Sequence, residues 1–157
     1  MSRIKNIKAF IISIAVSLGT GLIASLLTFR NFGIYSELIQ PPLSPPAWLF
    51  PAVWTLLYFL MGVSAYMIYM AKNEEKFAAL VVYLLQLVFN FLWLLIYFNL
   101  GQLLFAFVWL VILWMLILVM IVSFYRINKA SGYLQIPYLV WVTLAGYLNL
   151  ALYMLNR

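Results

Sequence analysis

The sequence predicts an all-α integral membrane protein whose single domain, residues 1–157, is a bundle of five transmembrane helices. The chain is 68% hydrophobic and only 8% charged, and so few charged side chains cannot cover a water-soluble domain of this length. The charged residues also separate long uncharged stretches. Because these stretches are continuously apolar and do not alternate, a transmembrane β-barrel is not expected.

The first helix is predicted at residues 9–29. A bilayer core about 30 Å thick requires about 20 helical residues, and this uncharged stretch reaches that length. It is longer than the apolar region of a typical secretory signal, and no small-residue cleavage site follows it. We therefore expect a retained membrane helix, in which Gly19, Gly21 and Ser25 permit close contact with a neighbouring helix.

A proline-rich loop, residues 30–46, is predicted between the first and second helices. Proline donates no backbone hydrogen bond and biases the residue before it to an extended conformation. The two proline pairs of this segment should therefore make a stiff, non-helical connection. The second helix is predicted at residues 47–71, with Pro51 tolerated in or near its first turn.

The remaining helices are predicted at residues 77–98, 103–125 and 132–155. No charged residue lies between Lys76 and Arg126, and this stretch is long enough for two helices. The sequence Asn-Leu-Gly-Gln is the only turn-like break within it. The fourth helix is continuously apolar and aromatic, which suggests a wall of the bundle or an oligomer contact.

Neutral polar and aromatic residues recur along one face of three predicted helices. Lipid cannot satisfy polar groups, so these faces should point toward protein or a cavity. They comprise Trp54, Tyr58 and Met61 on the second helix, Gln86, Asn90, Trp93 and Tyr97 on the third, and Tyr138, Trp141, Val142, Ala145 and Asn149 on the fifth. We expect Pro137 to kink the fifth helix near Trp141. If the faces converge, they form a cavity with aromatic walls.

Two alternative roles remain for these residues. Asn and Gln side chains within membrane helices often serve only to join helices. Tryptophans often form a belt at the membrane interface, and Trp48, Trp109 and Trp114 would fit that role. On physical grounds alone, the sequence favours a cavity and simple packing about equally.

The composition argues against several classes of function. The chain contains no cysteine and no histidine, which removes the usual metal ligands, thiol chemistry and a Ser-His-Asp triad. The predicted helices carry no charged side chain, whereas proton relays and ion-coupled transporters normally need one. We therefore expect no metal site and no resident cofactor. The net charge of +6 fits anionic lipid headgroups; nucleic-acid binding is not expected, because no basic stripe with polar neighbours exists.

The basic residues also predict the orientation in the membrane. Seven of the nine lie in the N-terminal segment, the 72–76 loop and the 126–129 loop, which share one side of the bilayer. Arg30 and Arg157 lie on the other side. Because positive charge is enriched on the cytoplasmic side, we expect the N-terminus in the cytoplasm and the proline-rich loop outside.

Together these motifs resemble the TspO/MBR family of translocator proteins and tryptophan-rich sensory proteins. The motifs are Tyr35, the sequence PPLSPPAWLFPAVWTLLYFLMG from Pro41 to Gly62, Gln86-x3-Asn90-x2-Trp93, and Pro137-Tyr138-x2-Trp141 followed by Ala145 and Asn149. The resemblance covers nearly the whole chain. It implies a five-helix bundle, often dimeric, whose interior binds tetrapyrroles such as protoporphyrin IX and haem. It also implies that isoquinoline and benzodiazepine-type ligands bind in the same region, as sterols do in mitochondrial members.

The resemblance further implies a set of ligand-binding residues. Trp54 and Trp141 match the cavity tryptophans, and Tyr35 matches the loop aromatic that closes over the ligand. The full set is Tyr35, Pro46, Trp48, Trp54, Tyr58, Gln86, Asn90, Trp93, Tyr138, Trp141 and Ala145. The chain departs from the family pattern at Ile34, where tryptophan is usual, and at Gln40, where a loop lysine is usual.

By this resemblance the protein is a membrane receptor or sensor for porphyrin- or haem-type molecules and not an enzyme, with the tetrapyrrole as a ligand and not a cofactor. Two alternatives remain, a porphyrin transporter and a protein that promotes light-dependent porphyrin degradation. The expected partners are the lipid bilayer, the porphyrin and a second copy of the chain in a homodimer. A bacterial member would be a multi-pass protein of the plasma membrane, and a eukaryotic one would lie in the mitochondrial outer membrane.

Overall fold

The computed structural model describes the backbone of residues 2–157 and the side chains of residues 6–157. Arg3 and Lys5, two of the basic residues behind the predicted orientation, lie outside the described side chains. The helices in the described part of the chain are α1 Ser2–Thr28, α2 Phe32–Ser36, α3 Leu49–Met70, α4 Lys76–Leu94, α5 Leu103–Ile127, α6 Lys129–Tyr133 and α7 Ile136–Leu155. Five segments, built on α1, α3, α4, α5 and α7, are long and apolar enough to cross a membrane. The predicted all-α bundle of five transmembrane helices is therefore confirmed.

The segment after α1 corrects the predicted loop boundaries of 30–46. A single 3₁₀ turn, Phe29–Asn31, leads directly into α2, so helical structure continues to Ser36. The first proline of this region is Pro41, and nothing in the backbone chemistry of the preceding residues forces the helix to end sooner. The non-helical connection is shorter than predicted and runs over residues 37–48, called the proline loop here.

Two other helix boundaries agree with the sequence prediction. Helix α3 begins at Leu49, whose amide donates to the Pro46 carbonyl at 2.9 Å, and Pro51 lies in the first turn, where its missing donor costs nothing. The uncharged stretch breaks after a wide π-helical turn at Leu95–Asn99. Gly101 then adopts a φ of 62°, a left-handed conformation that glycine reaches without steric penalty.

The predicted kink at Pro137 is wrong. The chain forms the short helix α6, passes through a turn at Leu134 and Gln135 whose dihedral angles remain in the right-handed helical region, and begins α7 at Ile136. Pro137 therefore lies in the first turn of α7, where no intrahelical donor is required and the fixed φ of proline favours the helix. Helix α6 is capped by Asn128, whose side chain accepts from the Ser131 amide at 3.1 Å.

Small residues bring α1 and α3 together. A Cβ at Gly62 on α3 would lie 2.8 Å from the Ile14 Cα on α1, so only glycine allows this approach. A Cβ at Gly21 would overlap the Tyr58 ring, which confirms the predicted close contact at that position. Gly19 has no atom within 4 Å of an added Cβ, and Ser25 is exposed, so neither supports the contact.

The end of the bundle away from the proline loop is filled by apolar side chains. Helix α5 packs against both α4 and α7, which fits the wall that its continuous apolar sequence suggested. Its buried face carries Leu113, Ile117, Met120 and Phe124, all with no accessible surface, and Ile68 of α3 is equally buried. Together with the buried polar residues Ser64, Ser131 and Gln135, these side chains pack the half of the bundle away from the proline loop.

Candidate ligand-binding site

Three helices place a group of buried polar side chains in the middle of the bundle. Tyr58 on α3, Gln86 and Asn90 on α4, and Tyr138 on α7, called the polar cluster here, are all buried. The Tyr58 hydroxyl donates to Asn90 Oδ1, and the Asn90 amide group donates to the Tyr138 hydroxyl at 3.2 Å. The Tyr138 hydroxyl in turn donates to Gln86 Oε1 at 2.7 Å. Each member thus has a partner on another helix, as buried polar groups require.

Aromatic rings cover the polar cluster on the side of the proline loop. The centroid of the Trp54 ring lies 5.6 Å from that of Tyr58 and 6.2 Å from those of Trp93 and Tyr138. The Trp93 ring continues to Tyr97, with 5.4 Å between centroids. Trp54 is only half-buried, so its ring is the outermost of this group. These rings supply the broad, flat apolar surface that a planar molecule can pack against.

Trp141, three residues after Tyr138 on α7, offers an unused hydrogen-bond donor. Its ring is half-buried on α7 and meets Phe50 edge-on, with 5.6 Å between centroids. The Trp141 Nε1 atom is buried and has no partner among the described residues. A buried donor left unpaired costs about 1–3 kcal/mol, so a ligand that supplies an acceptor here would recover that energy. Ala145, one turn along α7, is buried with a small side chain.

Long-range hydrogen bonds tie the proline loop to α7. The Ile39 amide donates to Asn156 Oδ1 at 2.9 Å, and the Asn156 side chain donates back to the Ile39 carbonyl at 3.1 Å. The Tyr147 hydroxyl donates to the Pro42 carbonyl at 3.0 Å. These three bonds hold the middle of the loop against the C-terminal half of α7.

The structure brings Tyr35 to the site but leaves two predicted residues at its margin. The Tyr35 hydroxyl donates to the Tyr97 carbonyl, and the two rings stack with centroids 4.5 Å apart. Pro46 is exposed, and Trp48 has 69% of its surface exposed. Neither belongs to the buried group in this closed arrangement, so a role for them in binding stays a prediction.

Sequence reasoning left three contributing residues outside its set. Asn149 was placed on the inward face of the fifth helix, and its Oδ1 accepts from Trp93 Nε1 at 3.3 Å. Its amide group also donates to the Leu103 carbonyl at 2.7 Å, which joins α7 to α5. Tyr147 and Asn156 were missed altogether, because no local pattern indicates that a residue near the end of a helix will bind a distant loop.

The tryptophans of α5 serve packing within the bundle. Trp109 Nε1 donates to the Phe89 carbonyl at 2.9 Å, and the Trp109 and Phe89 rings stack with centroids 4.6 Å apart. Trp114 Nε1 donates to Thr143 Oγ1 at 2.9 Å. These bonds attach α5 to α4 and α7, which is more specific than the interfacial belt considered from the sequence.

Comparisons with known proteins identify the family of the chain. The TspO/MBR family profile matches residues 11–155. The chain is 33% identical to tryptophan-rich protein TspO of Chlorobaculum tepidum over 97% of this chain and 98% of the relative. It is 35% identical to the protein of the same name from Archaeoglobus fulgidus over 96% of this chain and 99% of the relative. It is also 29% identical to the translocator protein of Bos taurus over 90% and 85% of the two chains. The chain is therefore a multi-pass membrane protein that belongs to the TspO/MBR family.

Proposed function

We propose that the protein is a membrane receptor or sensor that binds a planar tetrapyrrole, such as protoporphyrin IX or haem, beneath the proline loop. Isoquinoline and benzodiazepine-type molecules are proposed to occupy the same place. The observation that supports this function most is the convergence of the Trp54, Trp93 and Tyr138 rings. The unpaired Nε1 donor of Trp141, three residues after Tyr138 on α7, supports it further. A relative named tryptophan-rich sensory protein, from Cereibacter sphaeroides, supports the sensor role.

The hydrogen bonds of the polar cluster determine how deep such a ligand would reach. Gln86 and Asn90 already bind the hydroxyls of Tyr138 and Tyr58, and a ligand that displaced them would leave buried hydroxyls unpaired at a cost of about 1–3 kcal/mol each. We therefore place the macrocycle above the cluster, between Trp54 and Trp141, with the cluster as a rigid floor. Each aromatic contact would add about 0.5–1.5 kcal/mol beyond the burial of apolar surface.

Entry to this position requires movement of the proline loop. In the closed arrangement Phe50 and Trp141 meet edge-on, and the loop is tied to α7 through Asn156 and Tyr147. A ligand would enter when these ties open and would be covered again when they reform. The loop would thus control the rates of binding and release more than the affinity itself.

A porphyrin transporter is the main alternative to a receptor. A transporter must open a path to both sides of the membrane, and the half of the bundle away from the loop is filled by the fully buried Leu113, Ile117, Met120 and Phe124. Light-dependent porphyrin degradation is a further alternative, in which Trp54 and Trp141 would take part in the photochemistry. Loss of porphyrin absorbance under illumination that depends on these two residues would identify it.

Titration of the purified protein with protoporphyrin IX tests the proposed function. We expect a saturable change in the Soret absorbance of the porphyrin, and we expect an isoquinoline ligand to compete for the same site. The titration is best carried out in detergent and in lipid nanodiscs, because detergent can itself dissolve porphyrin. A change that never saturates, or that a matched membrane protein without the site also gives, would contradict specific binding.

A further inference from the structure

An open hollow lies at the end of the bundle opposite the proline loop. It is an open groove of about 480 Å³ between the C-terminal part of α5 and the start of α7, with α6 at its end. Its walls include Val122, Tyr125 and Arg126 from α5, with Tyr133 and Ile136 from the α6–α7 region. The volume falls in the range of about 300–1,000 Å³ that is usual for ligand sites. We call it the α5–α6 groove.

The close approach of α6 to α5 shapes this groove. A Cβ at Gly132 would lie 2.7 Å from the Tyr125 Cβ and 2.8 Å from its Cα, so α6 rests directly on the α5 backbone. The Tyr125 and Tyr133 rings then meet edge-on, with 5.4 Å between centroids, and form one wall. Tyr133 remains 57% exposed and Ile136 remains 42% exposed. The groove therefore presents apolar and aromatic surface outward, toward the bilayer.

One cation lines the groove and a second follows three residues later in the sequence, with no acidic residue near them in the sequence. Arg126 lines the groove, and Lys129 follows at the start of α6; both are exposed. The sequence contains no Asp or Glu after Glu75, so the whole segment that builds the groove lacks a negative charge. The ammonium group of Lys76, in contrast to these two cations, already has partners: it donates to the carbonyls of Tyr69 and Ala71 at the end of α3. Glu74 and Glu75 lie at the same end of the bundle, in the turn between α3 and α4. The groove itself combines an apolar channel with Arg126 and has no acidic side chain in its lining.

We propose that the α5–α6 groove binds one anionic phospholipid. An acyl chain would lie along Val122 and Ile136, and the phosphate would sit between Arg126 and Lys129. The two tyrosines would lie at headgroup depth, where amphipathic rings are favoured. This arrangement matches the chemistry of such a lipid along its whole length, with hydrocarbon at one end and negative charge at the other.

The charge also argues against a second copy of the chain as the occupant. In a symmetric dimer the same patch is used by both subunits. In a membrane dimer whose symmetry axis runs along the membrane normal, both copies carry their cations at the same depth, so a dimer formed through this groove would gather four positive charges at one end of the interface. An anionic lipid instead neutralises both cations.

Native mass spectrometry of the detergent-solubilised full chain tests this proposal, with dioleoylphosphatidylglycerol and dioleoylphosphatidylcholine as probes. We expect one phosphatidylglycerol to bind preferentially. The double variant Arg126→Gln, Lys129→Gln should lose about fivefold in affinity for each charge removed. The matched control Lys8→Gln, Lys72→Gln removes two exposed cations that do not line the groove and should keep the preference.

A groove-filling variant, Ile136→Trp, separates acyl-chain binding from simple charge attraction. This variant keeps both cations and should still weaken phosphatidylglycerol binding. Circular dichroism and the melting temperature report whether each variant remains folded. Three results would overturn the proposal: equal binding of the two lipids by the parent protein, an equal loss of phosphatidylglycerol affinity in the control variant, or unchanged phosphatidylglycerol affinity in Ile136→Trp. A doubled mass that depends on Arg126 would identify a subunit interface instead.

Discussion

Single residues decide how the interior of this bundle is joined. The sequence predicted which residues of α4 face inward, because Gln86, Asn90 and Trp93 recur at helical spacing. It could not predict that Asn90 bridges Tyr58 and Tyr138, since partners from different helices leave no local signature. The same residues that could line a cavity are therefore closed on one another.

Asn90→Ala should destabilise the protein because it leaves the buried Tyr58 hydroxyl without its acceptor and removes one of the two hydrogen bonds of the Tyr138 hydroxyl. We expect a loss of about 1–3 kcal/mol in the free energy of unfolding, measured by denaturant or thermal unfolding in detergent. Gln102→Ala, which changes an exposed side chain, is the control and should stay within about 0.5 kcal/mol. If Asn90→Ala were as stable as this control, the polar cluster would contribute nothing to folding.

At the scale of helices, the contact between α1 and α3 depends on Gly62 and not on Gly19. Gly62→Ala would place a methyl group 2.8 Å from the Ile14 Cα and 2.6 Å from Ser17 Oγ, so the helices must separate. Overpacking of this kind typically costs about 1–3 kcal/mol. Gly19→Ala is the matched control, because an added Cβ there meets no atom within 4 Å; it should be neutral or slightly stabilising. Equal melting temperatures for the two variants would contradict the close helix contact.

The ties between the proline loop and α7 should control loop opening. Asn156→Ala removes both hydrogen bonds to Ile39, so we expect faster amide hydrogen exchange in residues 37–48 and faster porphyrin dissociation, with little change in bundle stability. Asn73→Ala in the α3–α4 turn is the control, and it should change neither rate. Exchange that stays as slow as in the parent protein would show that the loop is held by other contacts. This readout needs no ligand, so it tests the ties even if the ligand differs from the one proposed.

Helix boundaries are predicted less well from the sequence than the presence of the helices. Charge spacing and the turn at Gly101 predicted the five membrane helices, because both signals arise from local chemistry. Pro137 was misplaced, because a proline within an apolar run can either kink a helix or begin one. Only the end of α6 and the restart at Ile136 distinguish the two cases. The early end predicted for the first helix failed for a similar reason, since residues 29–36 carry neither a proline nor a strong cap.

The whole molecule has a predicted orientation that rests on the distribution of its basic residues. Reporter fusions after Arg157 should be active on the outer side of the membrane, and reporter insertions at Asn73 should be active in the cytoplasm. The reversed pattern would place the proline loop in the cytoplasm and would require the ligand to arrive from that side. The five-helix fold would be unaffected by either result.

The central claim is that Trp54 and Trp141 flank one ligand beneath the proline loop. The most direct test compares protoporphyrin IX binding, measured by Soret absorbance, in two double variants. The first carries Trp54→Phe with Trp141→Phe, and the second carries Trp109→Phe with Trp114→Phe. Each pair removes two indoles, but the second pair lies on α5, where both form packing hydrogen bonds. We expect the first pair to weaken binding at least about tenfold, the equivalent of about 0.7 kcal/mol for each altered aromatic contact. The α5 pair should lose stability and retain affinity. Native affinity in a folded Trp54→Phe, Trp141→Phe protein would contradict the shared site and assign both tryptophans to packing.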